Sequence, residues 1–122
     1  MSRTVLQPGP QHPITVEPAA ARITVTAGGT PVADTTAALA LQEAKYPTVY
    51  YIPLADVRSD VLKPSDHTTY CPYKGDASYY SVATAAGELT DAVWYYAEPY
   101  PAVADIAGHV AFYADKVDIT AT

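Results

Sequence analysis

The chain predicts a mainly β fold, a single compact antiparallel domain carrying one or two short helices. Three observations carry that expectation. Short runs of Val, Ile, Thr and Tyr recur at strand length. The 11 prolines are spread along the chain and forbid long helices. Clusters of Gly, Pro and Asp separate the runs, as turn formers do. A length of 122 residues suits one domain with a real core.

Residues 1–13, rich in Pro and Gln, read as a loosely held N-terminal arm, and residues 14–122 as the domain. Residues 14–17 and 22–26 are the first strands. In the second, Ile23 and Val25 face one way and Arg22, Thr24 and Thr26 the other, a half-buried pattern. Gly28-Gly29 then makes a hairpin turn. The alanines, Leu39, Leu41 and Glu43 in residues 32–45 would suit a helix. Leu39 and Leu41 alternate, however, and the flanking runs are strand-like, so strands are expected. Residues 48–52 form a firmer strand ended by Pro53, and residues 55–60 one helical turn.

Pro64, Pro72 and Gly75, with several Asp and Thr, mark residues 64–76 as a loop. Strands resume at 77–83 and 92–96. A short helix over 103–107 is opened by prolines and stopped by Gly108. Residues 109–113 and 116–120 then make a closing hairpin across Ala114-Asp115.

Charge narrows the partners. Thirteen acids against seven bases give a net charge of −6, which repels nucleic acid and anionic membrane. No apolar stretch reaches spanning length, the first residues lack a signal-type apolar core, and one cysteine cannot form an internal disulfide. A cytoplasmic protein is the default expectation. No glycine loop for phosphate and no Gly-x-Ser-x-Gly elbow is present, so no cofactor is implied.

Chemistry concentrates around the only cysteine, in SDHTTYCPYKGDASYY, residues 65–80. Lys74 follows Cys71 by three residues across Pro72-Tyr73, near enough for an ammonium to favour the thiolate. Asp66 and His67 precede it and would serve as base and orienter in a folded loop. The competing reading makes Cys71 a small buried apolar side chain, Asp66 a loop cap, and Lys74 a solvated group or a partner of Asp76. A metal held by His67, Cys71 and His109 is disfavoured for want of a second cysteine, and His109 reads as a core or rim residue.

All the aromatic residues, 11 Tyr with one Trp and one Phe, lie between Tyr46 and Tyr113. Alternate tyrosines would cover sheet faces, and the surplus would line a pocket. Tyr70, Tyr73, Tyr79, Trp94, Tyr96 and Tyr100 are the candidates. Trp94 itself reads first as the main core anchor of its strand, since a single Trp in a strand usually packs inward. Glu98, set among aromatics in WYYAEPY, would orient Lys74 or a ligand.

The CPYKG element and the WYYAEPYP element together make residues 12–119 resemble the bacterial and fungal domain-of-unknown-function 427 family. That resemblance implies a compact β-tent fold, akin to zinc-ribbon-like and methionine sulfoxide reductase B-like domains. Those relatives hold zinc through paired Cys-x-x-Cys motifs, which this chain lacks, so no metal carries over. The family's nucleotidyltransferase label does not carry over either, because no carboxylate cluster for magnesium or triphosphate loop is evident. Many similar members have His where this chain has Tyr70; if that histidine serves as a base in them, either His67 supplies the function here or the role is not essential.

Three functions follow as expectations. The first is a small-molecule enzyme of hydrolase, lyase or isomerase type. In it Lys74 steadies developing negative charge, and Cys71 or the Asp66/His67 pair does the nucleophilic or proton-transfer work. The second is a noncatalytic module whose aromatic wall and Glu98 hold an organic cation, an aromatic metabolite or a peptide side chain. The third is a structural homodimer with tyrosines in its interface.

Overall fold

The computed structural model describes residues 3–122. Its strands are β1 (Ile14–Pro18), β2 (Ile23–Ala27), β3 (Thr30–Thr35), β4 (Leu39–Glu43) and β5 (Val49–Pro53), then β6 (Leu62–Cys71), β7 (Gly75–Thr84), β8 (Gly87–Tyr95), β9 (His109–Phe112) and β10 (Asp118–Ala121). They build two antiparallel sheets, one ordered β1-β4-β5-β9-β8-β7-β6 and one ordered β10-β2-β3. The fold is mainly β, as expected. The helical pieces are short 3-10 segments at Leu54–Asp56, Ser59–Val61 and Pro101–Ile106. Among the described residues no helix is long and apolar enough to cross a membrane.

Strand periodicity gives the larger sheet two different faces. Side chains two apart share a face. Ile52, Val82, Val93, Val110 and Phe112 point to one side and pack on Ile23, Val25 and Ala27 of the small sheet, all of these residues buried. Tyr51, Tyr79, Trp94 and Ala111, with Leu41 from β4, point the other way. On that side Tyr79 lies opposite Trp94, and Trp94 opposite Ala111. A small alanine amid large aromatic rings leaves room for a hollow. Val103 and Ile106 of the last 3-10 segment, 1% and 0% exposed, close this second cluster from below.

The Gly28-Gly29 turn forms as expected, with φ of +56° and +81°, a conformation open to glycine in a tight hairpin. Two expectations are corrected. Residues 64–76 are not a loop, since β6 runs through most of them to Cys71. Pro64 is tolerated because β6 is the sheet's edge, where a missing N–H leaves no neighbour unbonded. The ladder with β7 shifts register between Pro64 and Thr68, so Asp66 and His67 sit in an irregular, exposed stretch. The closing hairpin is also absent. β9 pairs with β5 and β8, while β10 crosses to β2 in the other sheet. Apolar faces, rather than chain proximity, decide those partners.

The N-terminal arm, expected to be loosely held, makes specific contacts. Leu6 N–H donates to the Pro72 carbonyl over 3.0 Å. The Arg3 guanidinium forks onto Asp76 and lies 3.6 Å from the centre of the Tyr70 ring.

Candidate functional site

A hollow of about 390 Å³ opens on the tyrosine face of the larger sheet. Tyr51, Tyr79, Trp94, Tyr96 and Tyr113 supply its aromatic walls, and Leu41 and Val49 part of its apolar floor. Trp94 Nε1–H donates to the Tyr51 hydroxyl over 3.3 Å, the two rings meeting edge to face. The Tyr79 hydroxyl pairs with Thr69 Oγ1 at 2.8 Å. Burial pushes the Tyr51 and Tyr96 phenols far above their ordinary range, so both keep their protons. Burial, then a hydrogen bond with Tyr79, takes Tyr113 up to about 12.

Two charged groups enter this wall, Lys74 and Glu43. Lys74 is 8% exposed, and its ammonium donates to Glu43 Oε1. Its backbone is held on both sides. Lys74 N–H donates to the Cys71 carbonyl over 3.2 Å, and the Lys74 carbonyl accepts from Tyr100 N–H over 2.9 Å. Gly75 completes the turn at φ +112°, a conformation that side chains rarely adopt, so glycine suits the position. The second Glu43 oxygen accepts from His12 Nε2 over 2.8 Å. Burial alone would raise the Glu43 carboxyl, but the hydrogen bonds from Lys74 and His12 outweigh it and hold the group below its ordinary value. Cys71 Sγ lies 3.8 Å from Lys74 Nζ, one side chain back from the hollow.

The sequence-expected residues divide. Lys74 reaches the hollow with Tyr79, Trp94 and Tyr96, and Cys71 adjoins Lys74. Trp94 is half-buried in the cavity wall, while its strand neighbour Val93, at 0% exposure, belongs to the aliphatic core. Asp66 and His67 are exposed on the edge strand and do not join Lys74 and Cys71. The His67 ring lies tilted against Tyr79, centroids 4.6 Å apart. Glu98 is exposed in a separate hollow with Arg3, Asp76 and Tyr100, and the carboxylate on Lys74 is Glu43 instead. Tyr70 and Tyr100 fasten the arm: the Tyr70 hydroxyl donates to the Thr4 carbonyl at 2.6 Å and meets the Tyr100 hydroxyl at 2.7 Å. Tyr73 stacks on His12, centroids 4.2 Å apart and planes 9° from parallel. Asp76 pairs with Arg3 rather than Lys74. His109 opens β9, with Nδ1 2.8 Å from the Ala107 carbonyl oxygen. Among the described residues no three His, Cys, Asp or Glu side chains stand together as metal ligands would.

Sequence reasoning missed Glu43 and His12 as members of the site. Glu43 had a readable sign. It follows Leu39 and Leu41 at a spacing of two, which places a carboxylate on the inward face of an apolar strand. His12 had none, since its partner Glu43 lies 31 residues away.

A search of the curated proteins finds no match to this sequence. The family model described as "Domain of unknown function (DUF427)" matches residues 15–122, nearly all of the domain and its CPYKG and WYYAEPYP elements; the chain belongs to that family.

Proposed function

We propose that the protein is a small-molecule enzyme that moves protons with the Lys74–Glu43 pair at the wall of the tyrosine hollow. The observation that carries this reading is the pair's burial. Its side chains are 10% and 18% exposed, yet they open onto a cavity of about 390 Å³. Taking both charges out of water is expensive, and apolar residues of similar size commonly stabilise such a position as well or better. A charge pair kept beside an aromatic cavity is therefore where acid–base work is expected. Glu43 is held ionised and is the proton acceptor. Lys74 places positive charge where negative charge would develop on a bound molecule. Cys71, behind Lys74, is a reserve nucleophile for which Lys74 would have to move aside. A hydrolase, lyase or isomerase reaction without a cofactor fits this equipment.

One observation favours a binding module as the second reading. Six aromatic side chains line the hollow against two charged ones, which suits holding a flat molecule without converting it.

Proton NMR on a mixture of small carbonyl, hydroxy and amino compounds in D₂O separates the readings. The wild type should exchange a C–H proton or form product from at least one compound. The Lys74→Met/Glu43→Leu double variant should bind that compound and leave it unchanged. Equal conversion by both proteins, or line broadening without conversion by either, contradicts the catalytic reading.

A further inference from the structure

Two hydroxyls in the wall of the hollow, those of Tyr51 and Tyr96, have no acceptor for their protons among the described residues. The Tyr51 hydroxyl accepts from Trp94, and among the described residues nothing accepts its own proton. The Tyr96 hydroxyl has no hydrogen-bond partner among the described residues, although Tyr96 is only 7% exposed. The Tyr96 oxygen is not sealed off, because no fully enclosed side-chain polar atom is left unpaired among those residues. Tyr51 and Tyr96 both line the cavity. Buried hydroxyls seek partners, and a site built this way rewards a molecule that brings an acceptor oxygen.

The sign of that acceptor follows from the neighbouring charge. Glu43 lines the same hollow and is ionised, and its carboxylate offsets the Lys74 ammonium. A carboxylate ligand would meet Glu43 repulsion with no spare positive charge to set against it. A neutral carbonyl oxygen accepts from the two hydroxyls without that penalty.

The rest of the molecule is indicated by a second hollow of about 250 Å³. It shares Tyr46, Pro47, Val49, Trp94 and Tyr113 with the first, so the two hollows adjoin at Trp94. Its far end is made by Tyr50, Phe112 and Ile119. It opens because β5 and β9 pair only at Ile52–Val110 and Pro53–His109, which leaves Tyr50 and Phe112 flanking a gap. No charged side chain lines it, so an apolar chain or ring is its fitting occupant.

Resting on the small-molecule reading above, we infer that the substrate is a neutral carbonyl compound with an apolar tail, its oxygen held by the Tyr51 and Tyr96 hydroxyls and its tail laid over Trp94 toward Phe112 and Ile119. Trp94 is the only tryptophan, so its fluorescence reports directly on both hollows. Three probes suffice for a titration: 4-phenylbutan-2-one, the similarly sized anion 3-phenylpropanoate, and acetone, which lacks the tail. The phenyl ketone should saturate at the lowest concentration, with the anion and acetone each at least about tenfold weaker. Tyr96→Phe, which removes one hydroxyl and keeps the ring, should weaken the ketone about fivefold to tenfold. Tyr51→Phe gives an independent measure if Tyr96→Phe does not fold. Equal binding of ketone and anion, equal binding of ketone and acetone, or an unchanged ketone affinity in the Tyr→Phe variants overturns the inference. If the ketone fails while indole or benzylamine quenches Trp94 saturably, the carbonyl class is wrong and the small-molecule site stands. If none of the five probes perturbs Trp94, both fall.

Discussion

The larger sheet has two sides, and they are built on opposite plans. One is an aliphatic core in which Ile23, Val25, Val82 and Val93 are fully buried against the small sheet. The other is equally backed by strand and 3-10 structure, yet its large side chains are Tyr51, Tyr79 and Tyr96, with Lys74 and Glu43 at the rim. Aliphatic side chains mesh to crystal-like density and offer a ligand no polar partner. Tyrosines stack less completely and carry hydroxyls that must be answered. The first side holds the fold and the second holds the chemistry.

Changes that break this contrast should differ in size and in kind. The largest loss is expected at the ion pair. Lys74→Met alone leaves Glu43 without its main partner, and Glu43→Leu alone strands the ammonium. Each should cost about 3 kcal/mol in urea unfolding. The double variant should recover most of that, which a simple loss of packing would not. Ile23→Ala in the aliphatic core should cost about 3 kcal/mol as well, by opening a cavity, but should leave ligand binding in the other cluster unchanged. Tyr96→Phe should show the inverse, with a stability change below about 1 kcal/mol and a clear loss of binding.

The pH dependence sharpens the same contrast. Glu43 has a lowered carboxyl pKa in the folded protein, through the Lys74 and His12 bonds that overcome its burial. It therefore adds stability above the ordinary glutamate range, about 4.3, and that contribution is lost as pH falls through the lowered folded value. Wild-type stability should fall more steeply than that of Glu43→Gln below about pH 4.5. Asp34, Asp60 and Asp76 are also held low, by Arg22, Arg58 and Arg3, but on the open surface. Their share should fade in about 0.5 M salt while the Glu43 share persists. The smallest effect is expected at Arg22→Ala, which removes an exposed pair and should leave the urea midpoint unchanged within error.

Much of the fold was legible because period-two patterns and turn residues are local. Ile23 and Val25 faced inward as their alternation required, and Gly28-Gly29 turned where expected. β6 was hidden because Pro64 and its Asp and Thr neighbours speak for a loop, and only its place at the sheet edge lets a strand accept them. The β9 and β10 partners were hidden because pairing across sheets depends on which apolar faces meet. At the site, Lys74 beside Cys71 was visible as a three-residue spacing, while the carboxylate that completes the pair came from a strand far upstream. Glu98 stood closer to the aromatic motif in sequence, but its backbone turns outward after β8, and the alternation of Leu39, Leu41 and Glu43 was the better guide.

NMR of protein labelled at tyrosine Cζ tests the central claim most directly, because the 11 tyrosines sample both sides of the sheet, the seat of the arm and the surface. During titration with the phenyl ketone, the shifts should move at Tyr51, Tyr79, Tyr96 and Tyr113 and stay still at Tyr70, Tyr73 and Tyr100. Movement confined to Tyr70, Tyr73 and Tyr100, or none at saturating ligand, would contradict the assignment of function to the tyrosine face.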